Sequence, residues 1–292
     1  MIKTAVTHIG IGLLYILSLL PMPVLYGLAT LLYYPLYYVF GYRKHVVHEN
    51  LINAFPHKSA TEIISIEKRY YRYLTNLIVE IIKMSTISAA MLKKRFTFRN
   101  LDLMESYLRE GKSTLISSAH YGNWEWGIVS LGLHLSATNY PIYKPLSNPV
   151  FDRWFTHIRS RFGNRMISMR QTLRAITENK NEPTVFCFGN DQAPQKGDFN
   201  YWTEFLNQPT SIIQGLEKIA LKTNRPIFYL RVKVLKKGYY EAECVPLVLE
   251  PNTMDAAEIT KRHVTMLEEI INNDPPYWLW SHRRWKHKPE QA

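Results

Sequence analysis

The stretch SSAHYGNWEWG, Ser117 to Gly127, places His120 and Glu125 five positions apart, with a glycine, an asparagine and two tryptophans around them. A histidine and a carboxylate at this spacing fit several chemistries: a metal site, part of a nucleophilic triad, a general base with its orienting acid, or plain core packing. A zinc site calls for HExxH or a further His/Cys cluster; His134, the only nearby candidate, lies most of a helix away. A serine nucleophile calls for GxSxG, which is absent. Cys187 lies inside the apolar run TVFCFG, where an inert buried thiol is the expectation. What remains beside core packing is a His–carboxylate dyad. His120 takes a proton from an incoming hydroxyl while Glu125 holds the ring and stabilises the imidazolium. An alcohol can then attack a thioester with no covalent enzyme intermediate. General-base catalysis alone supplies about 10²–10⁴-fold, so such a site also needs donors for the tetrahedral oxyanion and a means of positioning both substrates.

The elements that must carry this pair follow from the local pattern. Leu115 to Ala119 reads as a strand ending at His120. Gly122 and Asn123 suit a tight turn and a helix cap, and Glu125 then falls in the first helical turn, where the helix dipole favours a carboxylate. Sites of open α/β sheets cluster at the carboxyl ends of strands. Upstream, Arg43 to Phe55 predicts a short helix stopped by Pro56. Ser59-Ala-Thr-Glu62 is a capping box opening a long helix with a 3.6-residue apolar period from Ile63 to Ile81. Downstream, strands at STLISSA, NYPIYK, TVFCFG, PIFYLRVKVL and YYEAECVPL alternate with helices at about 149–162, 211–223 and 256–272. This alternation predicts an α/β body with a mixed sheet flanked by helices.

Composition bounds the rest. The chain has 292 residues, 46% hydrophobic and 13% aromatic, enough for a sizeable core. Lys plus Arg number 36 against 24 Asp plus Glu, a formal +12, which favours an anionic partner. The two cysteines, Cys187 and Cys244, have no metal-like spacing and imply no disulfide framework. From Thr4 to Tyr42 there is no Lys, Arg, Asp or Glu. This run is long enough for a membrane but interrupted by Pro21, Pro23 and Pro35, so it predicts a kinked membrane-embedded helix or two helices, the first too short to span alone. A buried hairpin in a soluble core is the competing reading; a cleaved signal peptide fits less well, because the apolar run continues past Pro23. Tyr33, Tyr34, Tyr37 and Tyr38 cluster where an interfacial belt would lie, and Arg43 and Lys44 follow while only Lys3 precedes. Residues 1–42 are therefore read as a membrane anchor and 43–292 as one catalytic domain facing the cytoplasm.

HYGNWE resembles the HX4(D/E) signature of the lysophospholipid-acyltransferase superfamily, and the remainder resembles its branch of late lipid A (lauroyl/myristoyl) acyltransferases. ENLINAFP (Glu49–Pro56), YKPLSNPVFDRWFTHIRSRFG (Tyr143–Gly163), GNDQAPQKG (Gly189–Gly197), FLNQPTSIIQG (Phe205–Gly215) and WLWSHRRWKHKP (Trp278–Pro289) are similar to that branch's blocks, in the same order. The resemblance implies a glycerol-3-phosphate-acyltransferase-like fold at the inner membrane of a Gram-negative bacterium. It implies transfer of a fatty acyl chain from acyl carrier protein, or coenzyme A, to a hydroxyl of a membrane lipid, a lipid A precursor first among the acceptors. No metal or organic cofactor is implied. By carry-over His120 is the base, Glu125 its partner, Arg159 the functional arginine with Arg161 as rival, and Asp191 a functional acid.

The residues add their own reading. Arginine suits bidentate phosphate recognition, so Arg159 and Arg161 are candidates for lipid phosphates or the carrier's phosphopantetheine, although i and i+2 diverge on a helix. Asn123 is read first as the helix cap; Trp124 and Trp126 are read first as core. The run HRRWKHK (His282–Lys288) alternates cations with tryptophan, which suits single-stranded nucleic acid or an anionic membrane surface. Beside the uncharged N-terminal run, the membrane reading is preferred and no nucleic-acid partner is expected. An aminolipid, glycolipid or lysophospholipid acceptor, or a non-catalytic lipid-binding protein, are the alternatives.

Overall fold

A computed structural model describes residues 2–195 and 201–289; Lys196 and Gly197 of the Gly189–Gly197 block lie outside the described residues. In chain order the helices are α1 (Ile2–Leu19), α2 (Met22–Tyr34), α3 (Lys44–Ala54), α4 (Ala60–Lys83), α5 (Ala89–Arg95), α6 (Asp102–Arg109), α7 (Trp124–Leu131), α8 (Pro149–Arg159), α9 (Thr172–Glu178), α10 (Gly215–Thr223) and α11 (Ala256–Asn273). The strands are β1 (Phe96–Arg99), β2 (Thr114–Ser118), β3 (Thr138–Tyr143), β4 (Ile167–Ser168), β5 (Thr184–Gly189), β6 (Tyr201–Phe205), β7 (Gln208–Ile212), β8 (Ile227–Lys236) and β9 (Tyr239–Val248).

Seven strands form one sheet in the order β1-β9-β8-β2-β5-β3-β4, parallel throughout except for the β8–β9 hairpin. This is the mixed α/β sheet the alternation predicts. β2 lies at its centre between β5 and β8, and its TLISS reads as a continuous run because both faces are covered. Leu115 faces the larger core with α4, α10 and α11. Ile116 faces a smaller one with Met104 and Leu108 of α6. The carboxyl ends of the adjacent parallel strands β2 and β5 deliver His120 and Asp191 to the same edge.

α4 is the spine of the N-terminal half. Its capping box forms as read: the Ser59 hydroxyl accepts from the Glu62 amide, and Glu62 returns a bond to the Ser59 amide. Its buried stripe carries Ile63, Tyr70, Leu74 and Leu77, but also Glu67, Glu80 and Lys83. Glu67 accepts from Tyr37 (2.7 Å), and the Lys83 ammonium donates to the Ser18 and Leu20 carbonyls at the C-terminus of α1 (2.8 and 3.0 Å), where a cation is favoured. α2 buries Leu25, Ala29 and Tyr33 in the main core and leaves Val24, Leu28 and Leu31 exposed. Pro21 separates α1 from α2, whereas Pro35 does not interrupt α2: the chain continues as a π-helical turn over Pro35–Val39, with Phe40 N–H bonded to the Pro35 carbonyl. No single helix among the described residues is long and apolar enough to cross a membrane.

Two predicted boundaries are corrected. The helix expected from 211 starts at Gly215. Gln208–Ile212 is instead a strand paired antiparallel with Tyr201–Phe205, across a two-residue turn in which Leu206 and Asn207 both have positive φ (50° and 59°), the geometry of a tight hairpin. The helix expected over 149–162 ends at Arg159.

Candidate active site

His120 follows β2, and its ring is held on both nitrogens. Nδ1 lies 2.7 Å from Asp191 Oδ1, and Nε2 lies 3.1 Å from the Gln192 amide nitrogen. A neutral imidazole carries one N–H. With a carboxylate on Nδ1 and an amide donor on Nε2, the network assigns the proton to Nδ1 and the lone pair to Nε2. Asp191 Oδ2 accepts from the His120 backbone amide (3.0 Å) and from the indole N–H of Trp278 (2.9 Å). Burial alone would raise the Asp191 carboxyl, but the bond to His120, followed by those from Trp278 and the backbone, holds it well below the usual carboxylate range. Burial works against a charged His120 ring. The Asp191 carboxylate, assisted by Glu125, outweighs that and the opposing charge of Arg159, so the imidazole titrates above the ordinary histidine value.

Glu125 is in the first turn of α7 as read, and its side chain is buried. Its carboxylate is clamped by Arg159 of α8: Nε donates to Oε2 at 2.7 Å, and the terminal NH2 group donates to Oε1, an oxygen that also accepts from the Trp124 indole at 3.2 Å. The Arg159 guanidinium stacks over Phe155 at 3.9 Å. The hydrogen-bonded dyad expected between His120 and Glu125 is therefore corrected: His120 bonds Asp191, and Glu125 bonds Arg159. The cause is strand order. β5 is the immediate neighbour of β2, so the residue just past its end meets the imidazole, while the first turn of α7 faces α8. Trp124 packs edge-on against His120 at 5.1 Å, and Trp126 is fully buried. Arg161 diverges from Arg159, as expected for i and i+2, and its guanidinium binds the Met84 carbonyl.

The turn between His120 and α7 is built from below. Gly122 adopts φ +57°, and a Cβ there would fall 2.8 Å from Val232. Asn123 caps α7 through Oδ1 to the Trp126 amide (2.9 Å), and its amide donates to buried Glu80 (2.6 Å). Glu80 also accepts from Tyr26 (2.7 Å) and Tyr240 (2.6 Å), which ties α2, α4, β9 and the site turn together. Burial pushes Cys187 up, consistent with the inert thiol read from its apolar run. Among the described residues no group of three His, Cys, Asp or Glu side chains is placed to hold a metal ion.

The chain matches the family described as bacterial lipid A biosynthesis acyltransferase over residues 1–287. The chain belongs to this family. Among its curated relatives are a lipid A biosynthesis palmitoleoyltransferase of Escherichia coli K12, 23% identical with 97% of this chain and 92% of the relative covered, and a lipid A biosynthesis lauroyltransferase of the same strain, 24% identical with the same coverage. A lipid A biosynthesis acyltransferase of Haemophilus influenzae is 23% identical over 79% of this chain and 72% of its own length.

In this acyltransferase several site residues carry no chemical signal that sequence reasoning could weigh. Trp278 and Gln192 contact Asp191 and His120 directly, yet a tryptophan and a glutamine are residues of no distinctive reactivity. Asn50 donates to the Trp280 and His282 carbonyls (2.8 and 3.0 Å) and so pins the C-terminal strap that carries Trp278. The strap divides the run His282–Lys288: Arg283, Lys286 and Lys288 are exposed, and the rest packs inward. Arg284 and Trp285 are buried, bonded to the Ser211 carbonyl and the Thr210 hydroxyl (both 2.7 Å), and the His282 ring accepts from the Ala193 amide (3.0 Å). Burial pushes His282 down to about 4, so it serves the acyltransferase as a neutral acceptor.

Proposed function

We propose that this acyltransferase moves a fatty acyl chain from an acyl thioester, on acyl carrier protein or coenzyme A, to a hydroxyl of a lipid A precursor, with His120 as general base. The observation that carries the reading is the polarised imidazole: Nδ1 on Asp191, with Nε2 as the lone-pair nitrogen on a side chain 24% exposed. The acceptor hydroxyl displaces the Gln192 amide and gives its proton to Nε2 as its oxygen bonds the thioester carbonyl carbon. The tetrahedral oxyanion collapses, the C–S bond breaks, and the imidazolium returns the proton to the leaving thiolate. Asp191 stabilises the imidazolium by contact and Glu125 through space. Arg159, fixed by Glu125, is the cation for the oxyanion or a substrate phosphate. The scheme uses no metal or organic cofactor beyond the thioester co-substrate.

Two further features support the reading. A groove of about 700 Å³ lies between α1 and α8, lined by Gly10, Ile11, Leu14, Leu146 and Phe151 among others. Phe151 and Phe155 stack along α8 from that groove to Arg159, an apolar track suited to an acyl chain. α1 and α2 present apolar side chains outward, which suits an enzyme resting in the cytoplasmic face of the inner membrane and reaching its lipid acceptor from there. Mass spectrometry of total lipids with and without the gene tests the assignment. A lipid A lacking one acyl chain, restored by the wild type and not by His120→Ala, is the expected result. Loss of a chain from another lipid class would move the activity to that acceptor, and restoration by His120→Ala would overturn the mechanism.

A further inference from the structure

We propose that the C-terminal end of α5 and the tip of the β8–β9 hairpin form a second membrane contact, one that binds the phosphates of anionic lipids beside the apolar face of α1 and α2. The inference rests on the reading that those helices lie in a membrane. Lys93, Lys94 and Arg95 end α5; Leu235, Lys236 and Lys237 form the hairpin tip. All but Arg95 are exposed, Leu235 by 51%.

The two segments are fastened to each other and to α2. Arg95 donates to the Gly238 carbonyl (3.1 Å), and its guanidinium lies over the Tyr239 ring at 4.7 Å, with Lys236 over the same ring at 4.6 Å. Lys237 lies 5.1 Å from the ring centroid of Tyr26 on α2. Gly238 turns the hairpin with φ +72°, and a Cβ there would fall 1.9 Å from the Tyr26 hydroxyl, so the tip is pressed against α2. The tip therefore abuts α2 at Tyr26, whose hydroxyl bonds buried Glu80, while Val24, Leu28 and Leu31 project from another side of the same helix.

The charge at this edge is uncompensated. Further along the same hairpin Arg231 pairs with Glu243 (2.6 Å), and Arg99 of β1 pairs with Glu241 (3.3 Å). Among the described residues no carboxylate lies within ion-pair distance of Lys93, Lys94, Lys236 or Lys237. Long basic stems around an exposed leucine fit the membrane interface: the methylenes lie on hydrocarbon and the ammonium groups reach phosphates. An acidic carrier protein would meet the same cations, but it would also have to cover the exposed Leu235 between them. That combination favours lipid.

The test is flotation of the full-length enzyme with phosphatidylcholine vesicles, with and without phosphatidylglycerol. The variants are Lys236→Gln/Lys237→Gln, Lys93→Gln/Lys94→Gln and all four together, with Lys218→Gln/Lys222→Gln on α10 as control. Each lysine near an anionic surface is worth about five-fold in partitioning, so each pair should cost about twenty-fold on anionic vesicles and nothing on neutral ones. The control should bind like wild type. A quadruple variant that partitions like wild type overturns the proposal. So does intact vesicle binding with a raised KM for an acyl-carrier-protein donor, which assigns the surface to the carrier. Failure of the wild type to bind either vesicle is a separate result and overturns the membrane reading beneath it.

Discussion

At the residue scale the decisive feature is which acid holds His120. A general base must be neutral to act, so turnover rises with pH through the imidazole pKa, and the Asp191 contact places that limb above the ordinary histidine value. Asp191→Asn removes the charge and keeps the size. It should cost about 10²–10⁴-fold in kcat and move the acid limb to lower pH, because burial then acts on the imidazolium unopposed by its bonded carboxylate; an unmoved limb in the pH–rate profile would exclude Asp191 as the orienting group. Glu125 belongs to a different unit. Glu125 is buried, Arg159 is only partly so, and they share two hydrogen bonds, so Arg159→Ala should destabilise by about 3–5 kcal/mol through the buried carboxylate left unpaired, and Glu125→Ala by less, because water reaches the guanidinium it leaves. The double variant should cost well under the sum, read in a denaturation double-mutant cycle. The HX4E spacing picks out His120 and Glu125 and the family resemblance adds Arg159 and Asp191; the structure pairs His120 with Asp191 past the ends of β2 and β5, and Glu125 of α7 with Arg159 of α8. Their pairing was not legible, because it depends on β5 lying next to β2 and α8 next to α7, and neither adjacency is written in a spacing of four intervening residues.

At the element scale the site turn is secured from two directions, and each can be released separately. Asn123 caps α7 and also supplies one of the three side-chain donors to buried Glu80. Asn123→Ala should therefore cost more than an ordinary cap, about 2–3 kcal/mol in thermal or chemical denaturation, since the buried acid loses a donor as well. Asn50 acts at long range. Asn50→Ala leaves the Trp280 and His282 carbonyls without that donor and loosens the strap carrying Trp278, so a loss of about 1–3 kcal/mol should come with reduced kcat and little change in KM. Elements with a strong local signal were readable: the Ser59 capping box, the apolar strands β2 and β5, and the long α11. Those that tertiary pairing decides were not. Ser211 and Ile212 read equally well as the start of a helix, and only the partner strand across the Leu206-Asn207 turn makes Gln208–Ile212 a strand. Glu80 likewise looked like one more polar residue of an amphipathic helix, since a carboxylate's burial beneath a turn has no local signature.

At the scale of the whole molecule, the N-terminal helices raise the question of what covers their outer face. Val6, Ile9, Leu13, Ile16 and Leu19 of α1 are 58–65% exposed and recur at helical spacing, and α2 continues the face with Val24, Leu28 and Leu31. A contiguous apolar surface of this kind marks an interaction site. No single helix among the described residues is long and apolar enough to span, although the bent pair of residues 22–39 and 44–54 together has the length and composition to do so; the opposite stripe of α2 packs on α4. On the proposed membrane reading two forces hold the enzyme to a bilayer, and salt separates them. Contacts between lysines and anionic phosphates weaken as the Debye length shrinks, whereas apolar insertion does not. Binding to anionic vesicles should accordingly fall with added salt to a plateau. In the triple variant Ile9→Glu/Leu13→Glu/Ile16→Glu the plateau should vanish, because each side chain forfeits about 1–2 kcal/mol of apolar transfer, together about 10²-fold or more. Its unfolding midpoint in detergent should stay near that of the wild type, since the three side chains already face outward in the folded chain. A variant that kept the plateau would show that this apolar face is covered by something other than lipid.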